Sequence, residues 1–171
     1  PTPGQLAQEA YSRLTMPAPV ARHSPDVRLR DGRTSVIVGE NTWIWVEPGV
    51  FGPRSERAQA GPVWAEVTAA PMSLTFTPGD GHPEVTCGGP GTPYDRARFG
   101  VHAASPDCGY VYRRSSFGMP GDQVSAMYAI TWQVTWTGST GAAPAGGSLP
   151  AMRSETTIRF AVAEAQGLRS G

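Results

Sequence analysis

MYAITWQVTW, residues 127–136, is the longest uninterrupted two-residue alternation in the chain. Tyr128, Ile130, Trp132, Val134 and Trp136 share one face, and Ala129, Thr131, Gln133 and Thr135 share the other, which is the period of a half-buried strand. A helix would scatter these aromatic side chains around its circumference. Rings gathered on one face of one strand need a second layer to cover them, so the stretch predicts an all-β fold, an antiparallel β-sandwich with this strand near its centre.

Working outward, Val63–Ala70 alternates, Pro71 interrupts, and Met72, Leu74 and Phe76 then face one way. Pro78-Gly79-Asp80-Gly81 is a tight-turn signal, and Pro83–Cys87 reads as a brief strand. Cys108–Arg114 reads as another, with Tyr110 and Tyr112 on one face. After the central strand, Gly138–Pro150 reads as a mobile Gly/Ala/Ser/Pro connection, and Thr156–Ala163 closes the domain with Ile158, Phe160 and Val162 on a common face. Six or seven strands are expected from Val63 onward, at sandwich spacing.

Before that core, TPGQLAQEAYSRL places Leu6, Ala10 and Leu14 at helical spacing, with Thr2 as a cap and Pro3 in the first turn. Pro17 and Pro19 end the helix. Thr34–Val38 and Thr42–Val46 read as short strands or a hairpin, and the polar Phe51–Pro62 reads as a linker or surface loop. The organisation expected is a short N-terminal helix and strands over 1–59, packed on a sandwich domain over 60–171.

Gly (21) and Pro (17) are abundant, which suits a turn-rich β protein, while 39% hydrophobic content argues against disorder. Fourteen basic and fourteen acidic residues cancel, leaving no basic footprint for nucleic acid and no polybasic stretch for an anionic membrane surface. Every basic residue is Arg, so neither a Walker-type phosphate loop nor Schiff-base chemistry is open to it. No apolar run of membrane-spanning length occurs. Cys87 and Cys108 enclose a segment rich in Gly, Pro and Asp that has little hydrophobic surface with which to order itself. A disulfide there contributes roughly 3 kcal/mol on the loop-entropy model; the alternative is two buried thiols. Two cysteines flanking one loop fit an oxidising compartment, and a start at Pro1 fits a removed export signal or a trimmed chain, so the expected location is secreted or at the cell surface.

Two resemblances add to this reading. Leu74-Thr75-Phe76 running into Pro78-Gly79-Asp80-Gly81, then Tyr110-Val111-Tyr112, then the alternating Tyr128–Trp136, resemble the successive strands of a PKD domain over about 60–163. Thr77-Pro78 stands where that family usually has Asp-Phe, and the Cys87–Cys108 insertion is longer than is typical. The resemblance implies an immunoglobulin-like sandwich of the kind found in surface proteins and attached to secreted enzymes. The whole chain, through GENTWIWV, CGGPGTPYD, CGYVYRRSS and TWQVTWTG, is similar to a group of uncharacterised exported proteins of GC-rich actinobacteria, which implies location more than activity.

The candidate chemistry is sparse. Asp80 between two glycines reads as a turn residue, since one carboxylate supplies too few oxygens for calcium. Asp95, Asp107 and Asp122 join it only if their loops converge. Gly88-Gly89-Pro90-Gly91-Thr92 lacks the following helix of a phosphate loop, and Arg96, Arg98, Arg113 and Arg114 are expected to pair with neighbouring aspartates. His23, His82 and His102 have no zinc spacing, and no nucleophile elbow occurs. No catalytic, cofactor or metal site is therefore expected. Of the five tryptophans, Trp132 and Trp136 read as core. Trp43, Trp45 and Trp64 are the candidate contacts for a polysaccharide or protein partner, against the alternative that the N-terminal extension folds over them. The expected function is a non-catalytic exported binding or spacer module, with a carbohydrate-binding module or a subunit of an exported assembly as rivals. In the assembly reading the edge strand near Thr156–Ala163 pairs with another chain.

Overall fold

The computed structural model describes residues 1–166. Helix α1 (Pro3–Arg13) is followed by β1 (Ala21–Ser24), β2 (Val27–Arg28), β3 (Thr34–Ile37), β4 (Thr42–Val46), β5 (Arg54–Ala60), β6 (Val63–Thr77), β7 (Val85–Cys87), β8 (Gly109–Tyr110), β9 (Val124–Ser139) and β10 (Pro144–Ala163). The large sheet runs β2-β3-β10-β9-β6-β5, with β7 also on β6, and a small sheet runs β1-β4-β8. Pairing is antiparallel apart from β3 beside β10, which is parallel. The protein is an all-β sandwich with one N-terminal helix. Strands from both stretches of the chain share the large sheet: β2 and β3 from 1–59, β5 across the boundary, and β6, β7, β9 and β10 from 60–171.

The alternation that predicts the sandwich sits in β9, which pairs with β6 on one side and β10 on the other. Tyr128, Ile130, Trp132 and Val134 are buried, and Trp136 is half-buried at the end of the row. Gln133, Thr135 and Thr137 on the opposite face meet solvent, as one face of an antiparallel sheet commonly does. Both neighbours of β9 carry a register shift at the level of Trp132: β6 between Pro71 and Ser73, β10 between Leu149 and Met152. A bulge bends and twists its strand. The Trp132 indole is held between these two irregularities and donates to Ser154 Oγ at 3.1 Å.

On either side of Trp132 the inner face has a different cover. At one end α1 lays Leu6, Ala7 and Ala10 into the same core as Ala58, Ala65 and Val67. The helix starts with a capping box, in which Thr2 Oγ1 accepts from the Gln5 amide (3.1 Å) and Gln5 Oε1 accepts from the Thr2 amide (2.8 Å). At the other end the cover is the small sheet. Tyr128 donates to the Arg22 carbonyl (2.8 Å), and the Phe160 ring lies 4.6 Å from His23 and 5.9 Å from Tyr112.

Several local expectations are corrected. Phe51–Pro62 is not a loop, because Arg54–Ala60 forms β5 and pairs residue by residue with Val63–Ala69. Gly138–Pro150 is not a mobile connection but mostly paired strand around a tight turn. Gly138 is buried there, and a Cβ on it would lie 2.3 Å from the Trp64 carbonyl, so this glycine allows close approach of strands. Thr34–Val38 and Thr42–Val46 form strands but not a hairpin, since β3 and β4 belong to different sheets. Among the described residues five strands, not six or seven, follow from Val63, because β6 and β10 each continue through a bulge. The bulge in β6 also turns Met72 away from Leu74 and Phe76: it is 50% exposed while they are fully buried. The Cys108–Arg114 strand is reduced to β8, although Tyr110 and Tyr112 do meet edge to face at 4.7 Å.

Candidate functional site

Strand β4 is built of alternating large residues. Thr42, Ile44 and Val46 are buried, with Ile44 and Val46 in the core beneath, while Trp43 and Trp45 take the other side. Neither β1 nor β8 completes the hydrogen bonding of β4, and the segment 88–108 does part of this work. The Val46 amide donates to the Pro90 carbonyl (2.9 Å), and the Ile44 amide to the Cys108 carbonyl (3.1 Å). Gly91, at φ +82°, crosses so close that a Cβ would lie 2.3 Å from the Ile44 carbonyl. The glycine-rich stretch 88–92 thus docks the loop on β4.

Cys87 and Cys108 form a disulfide, with their Cα atoms 5.5 Å apart. Between them the loop turns back over Trp43. Tyr94 meets the indole edge to face at 5.1 Å, Phe99 packs at 4.6 Å, and Trp43 Nε1 donates to the Ala103 carbonyl at 2.7 Å. Trp43 is consequently only 2% exposed. The cover is this bridged loop and not the N-terminal extension, a correction that follows from where the loop's two rings must go to leave water.

The three candidate tryptophans do not form one platform. Trp43 is under the loop, and Trp45 is half-buried on the small sheet across from Arg22. Trp64 lies on the outer face of the large sheet, with the Arg57 guanidinium 4.1 Å from its ring centroid.

Where the loop meets the ends of β1 and β3 there is a cavity of about 510 Å³, with Pro25, Glu40, Tyr94, Arg96, Val101 and His102 on its walls. Its rim is fixed by two contacts from the β3–β4 turn: Asn41 donates to the His102 carbonyl (2.8 Å), and the His102 ring meets Glu40 at 2.9 Å. Val101 is 66% exposed at its mouth. An apolar wall with a few fixed polar groups is the ordinary make-up of a ligand cleft.

A second cluster surrounds Asp80. Its carboxylate accepts from the Tyr110 hydroxyl (2.5 Å) and the His82 amide (3.0 Å), and the His82 ring stands 3.3 Å away. Burial alone would raise the Asp80 pKa, but the Tyr110 hydroxyl and both His82 contacts outweigh it and hold the carboxyl below its ordinary value. Tyr110 is pushed far up, by burial and by donating to that carboxylate, so it keeps its proton. Beside it Tyr112 donates to the Pro78 carbonyl (2.8 Å) and is raised chiefly by burial. Asp80 is more than a turn residue: it ties the 78–84 turn to the strand after the bridged loop.

Asp95, Asp107 and Asp122 do not converge with Asp80, since each binds its own turn, through the amide of Ala97, the hydroxyl of Ser105 and the amide of Gly118. This also corrects the expected arginine pairs. Arg96, Arg113 and Arg114 make no ion pair among the described residues, and Arg98 lies over the Phe99 ring at 5.4 Å. Among the described residues no three His, Cys, Asp or Glu side chains gather as a metal site would require, and no helix is long and apolar enough to cross a membrane. His23 is held below its ordinary pKa mainly by burial, against opposing effects of the Pro25 carbonyl and Asp26. Tyr94 and Phe99 are the contacts the sequence reading misses. Two aromatic residues inside an otherwise polar bridged loop were the available signal. Compared with protein-family models, curated proteins and solved structures, the chain has no match in any of the three.

Proposed function

We infer that the protein is a non-catalytic, exported binding module of immunoglobulin-like type, presenting the cleft beside its bridged loop to an extended peptide or polysaccharide. The observation that carries this reading is the loop itself: a disulfide, two backbone contacts to β4 and the Trp43 packing hold it rigidly on a β scaffold. Rigid scaffolds that carry shaped loops are a common basis for recognition. A disulfide favours an oxidising compartment, which supports export.

The test is titration with cell-wall and plant polysaccharides and with extended peptides, followed by backbone amide shifts and Trp43 fluorescence. Shifts confined to Tyr94, Arg96, Val101 and His102, and lost in Tyr94→Ala and Arg96→Ala, are expected. A hydrolytic or transferase activity that disappears in Asp80→Asn or His82→Ala would overturn the reading. So would binding that maps to Trp64 and leaves the cleft unperturbed.

A further inference from the structure

Strand β10 is 20 residues long, and its two sides are used very unequally. On one side β9 pairs with it from Pro144 to Phe160. On the other, β3 reaches only Ala161–Ala163. Among the described residues no backbone group pairs with that second side before Ala161.

Which groups face the open side follows from hydrogen bonds at the end of the strand. In an extended chain the N–H and C=O of one residue point the same way, and successive residues alternate. Val162 donates to Ser116 Oγ (2.8 Å) and accepts from the Ser116 amide (2.9 Å), while the Ala163 carbonyl accepts from Val38 beyond β3 (3.0 Å). Val162 therefore faces away from β3, and Ala163 faces the β3 side. Counting back through the unbroken register from 160 to 152, Arg153, Glu155, Thr157 and Arg159 turn their N–H and C=O groups to the open side.

Two other exposed strand positions are each met by a side chain from α1. Arg13 reaches the Arg57 carbonyl on β5 at 3.4 Å, and Tyr11 donates to the Pro150 carbonyl at the β10 bulge at 3.0 Å. Between that bulge and β3, Met152–Arg159 has no such guard. Met152 and Ile158 are half-buried beside it, packed against the core with an uncovered margin. An unpaired strand edge is a template for another strand.

We propose that this edge pairs antiparallel with the same edge of a second copy of the chain, around a two-fold axis at Ser154. Charge selects the register. With the axis at Ser154, Arg153 lies opposite Glu155 of the second copy, and Glu155 opposite its Arg153. Moving the axis to Glu155 opposes that carboxylate with itself, and moving it to Thr156 opposes Arg153 with Arg159. An axis at Thr157 pairs Glu155 with Arg159 but drives Arg153 against Ala161, whose side is already occupied by Ser35. With the axis at Ser154 the bulge between Leu149 and Met152 falls opposite Thr156–Arg159, ending the regular stretch before it reaches β3 of the other copy. The contact is isologous, as a two-fold requires, and it stands whether or not the cleft binds a ligand.

Sedimentation equilibrium of the full chain, from about 1 μM to about 1 mM, reads the association directly. The expected result is a monomer–dimer equilibrium weakened about tenfold by Arg153→Glu, which turns two attractive pairs into repulsive ones, and restored by adding Glu155→Arg. Amides of Arg153 and Glu155, which oppose one another in the regular stretch before the bulge, should gain exchange protection with concentration, while those of β5 do not. A strict monomer over the whole range overturns the proposal. It is equally overturned by a dimer indifferent to Arg153→Glu, by a charge swap that fails to restore it, or by protection appearing elsewhere.

Discussion

The two ends of the large sheet are covered by different means. Under α1 the contacts are small and aliphatic, with Ala7 and Ala10 against Ala58, Ala65 and Val67, and the cover is organised locally by Thr2 and Gln5. At the small sheet the contacts are aromatic, long-range and partly polar: Tyr112, Phe160 and His23 meet beneath it, and Trp43 packs with Tyr94 and Phe99 on its other side. The helical end is written in consecutive residues, whereas the aromatic end depends on segments more than a hundred residues apart. The difference teaches that the bridged loop is a third layer at its own end: it supplies the outer cover that Trp43 requires.

The largest expected break in this contrast comes from Trp43→Ala. Emptying that site costs about 3–5 kcal/mol, measured by urea unfolding, and amides of 94–103 should lose exchange protection while those of α1 keep theirs. Replacing Cys87 and Cys108 together by Ala costs about 3 kcal/mol on the loop-entropy model. The effect should again fall on the aromatic end first in hydrogen exchange. Equal loss of protection at α1 would show that the two ends unfold as one.

Acid sharpens the comparison, because both groups with depressed folded pKa values discussed above lie at the aromatic end. For His23 the folded value is below the unfolded 6.5, so its contribution is present above that pH and is lost as pH falls through 6.5 toward the folded value. Asp80 behaves alike below 3.8. Unfolding followed against pH should show the first loss disappear in His23→Gln and the second shrink in Tyr110→Phe, with exchange at α1 flat across both. The smallest change is Thr2→Ala, which removes one side of the capping box and costs about 1 kcal/mol. Its signature is faster exchange in the first turn of α1 and no change at the loop.

The same contrast explains what could be read from the sequence. The helix, its cap and the central strand were open to inspection because their signals are periodic or adjacent: Thr2 with Gln5, and Tyr128 through Val134. Strand β5 was hidden because RSERAQA is polar, and only the pairing with Val63–Ala69 makes it a strand. Gly138 misled because glycine signals flexibility and close approach with the same letter. Of the candidate site, the cysteine pair was visible, but the partners of Trp43 were not. Tyr94 and Phe99 meet it only after the loop folds back, and no spacing along the chain encodes that return. The arginine pairs failed for a related reason, since the neighbouring aspartates were already engaged by turn amides and hydroxyls of their own loops.

Because Cys87 and Cys108 bring the chain back to within 5.5 Å of where it left, the segment between them behaves as a cassette with a fixed socket. Its contents can be lengthened, shortened or exchanged without asking either sheet to move, provided two demands are met. A small residue must pass over Ile44 where Gly91 now sits, and some ring must shield Trp43. A lineage or a laboratory that respects those two demands is free to rewrite the rest of the loop, and with it whatever the cleft recognises.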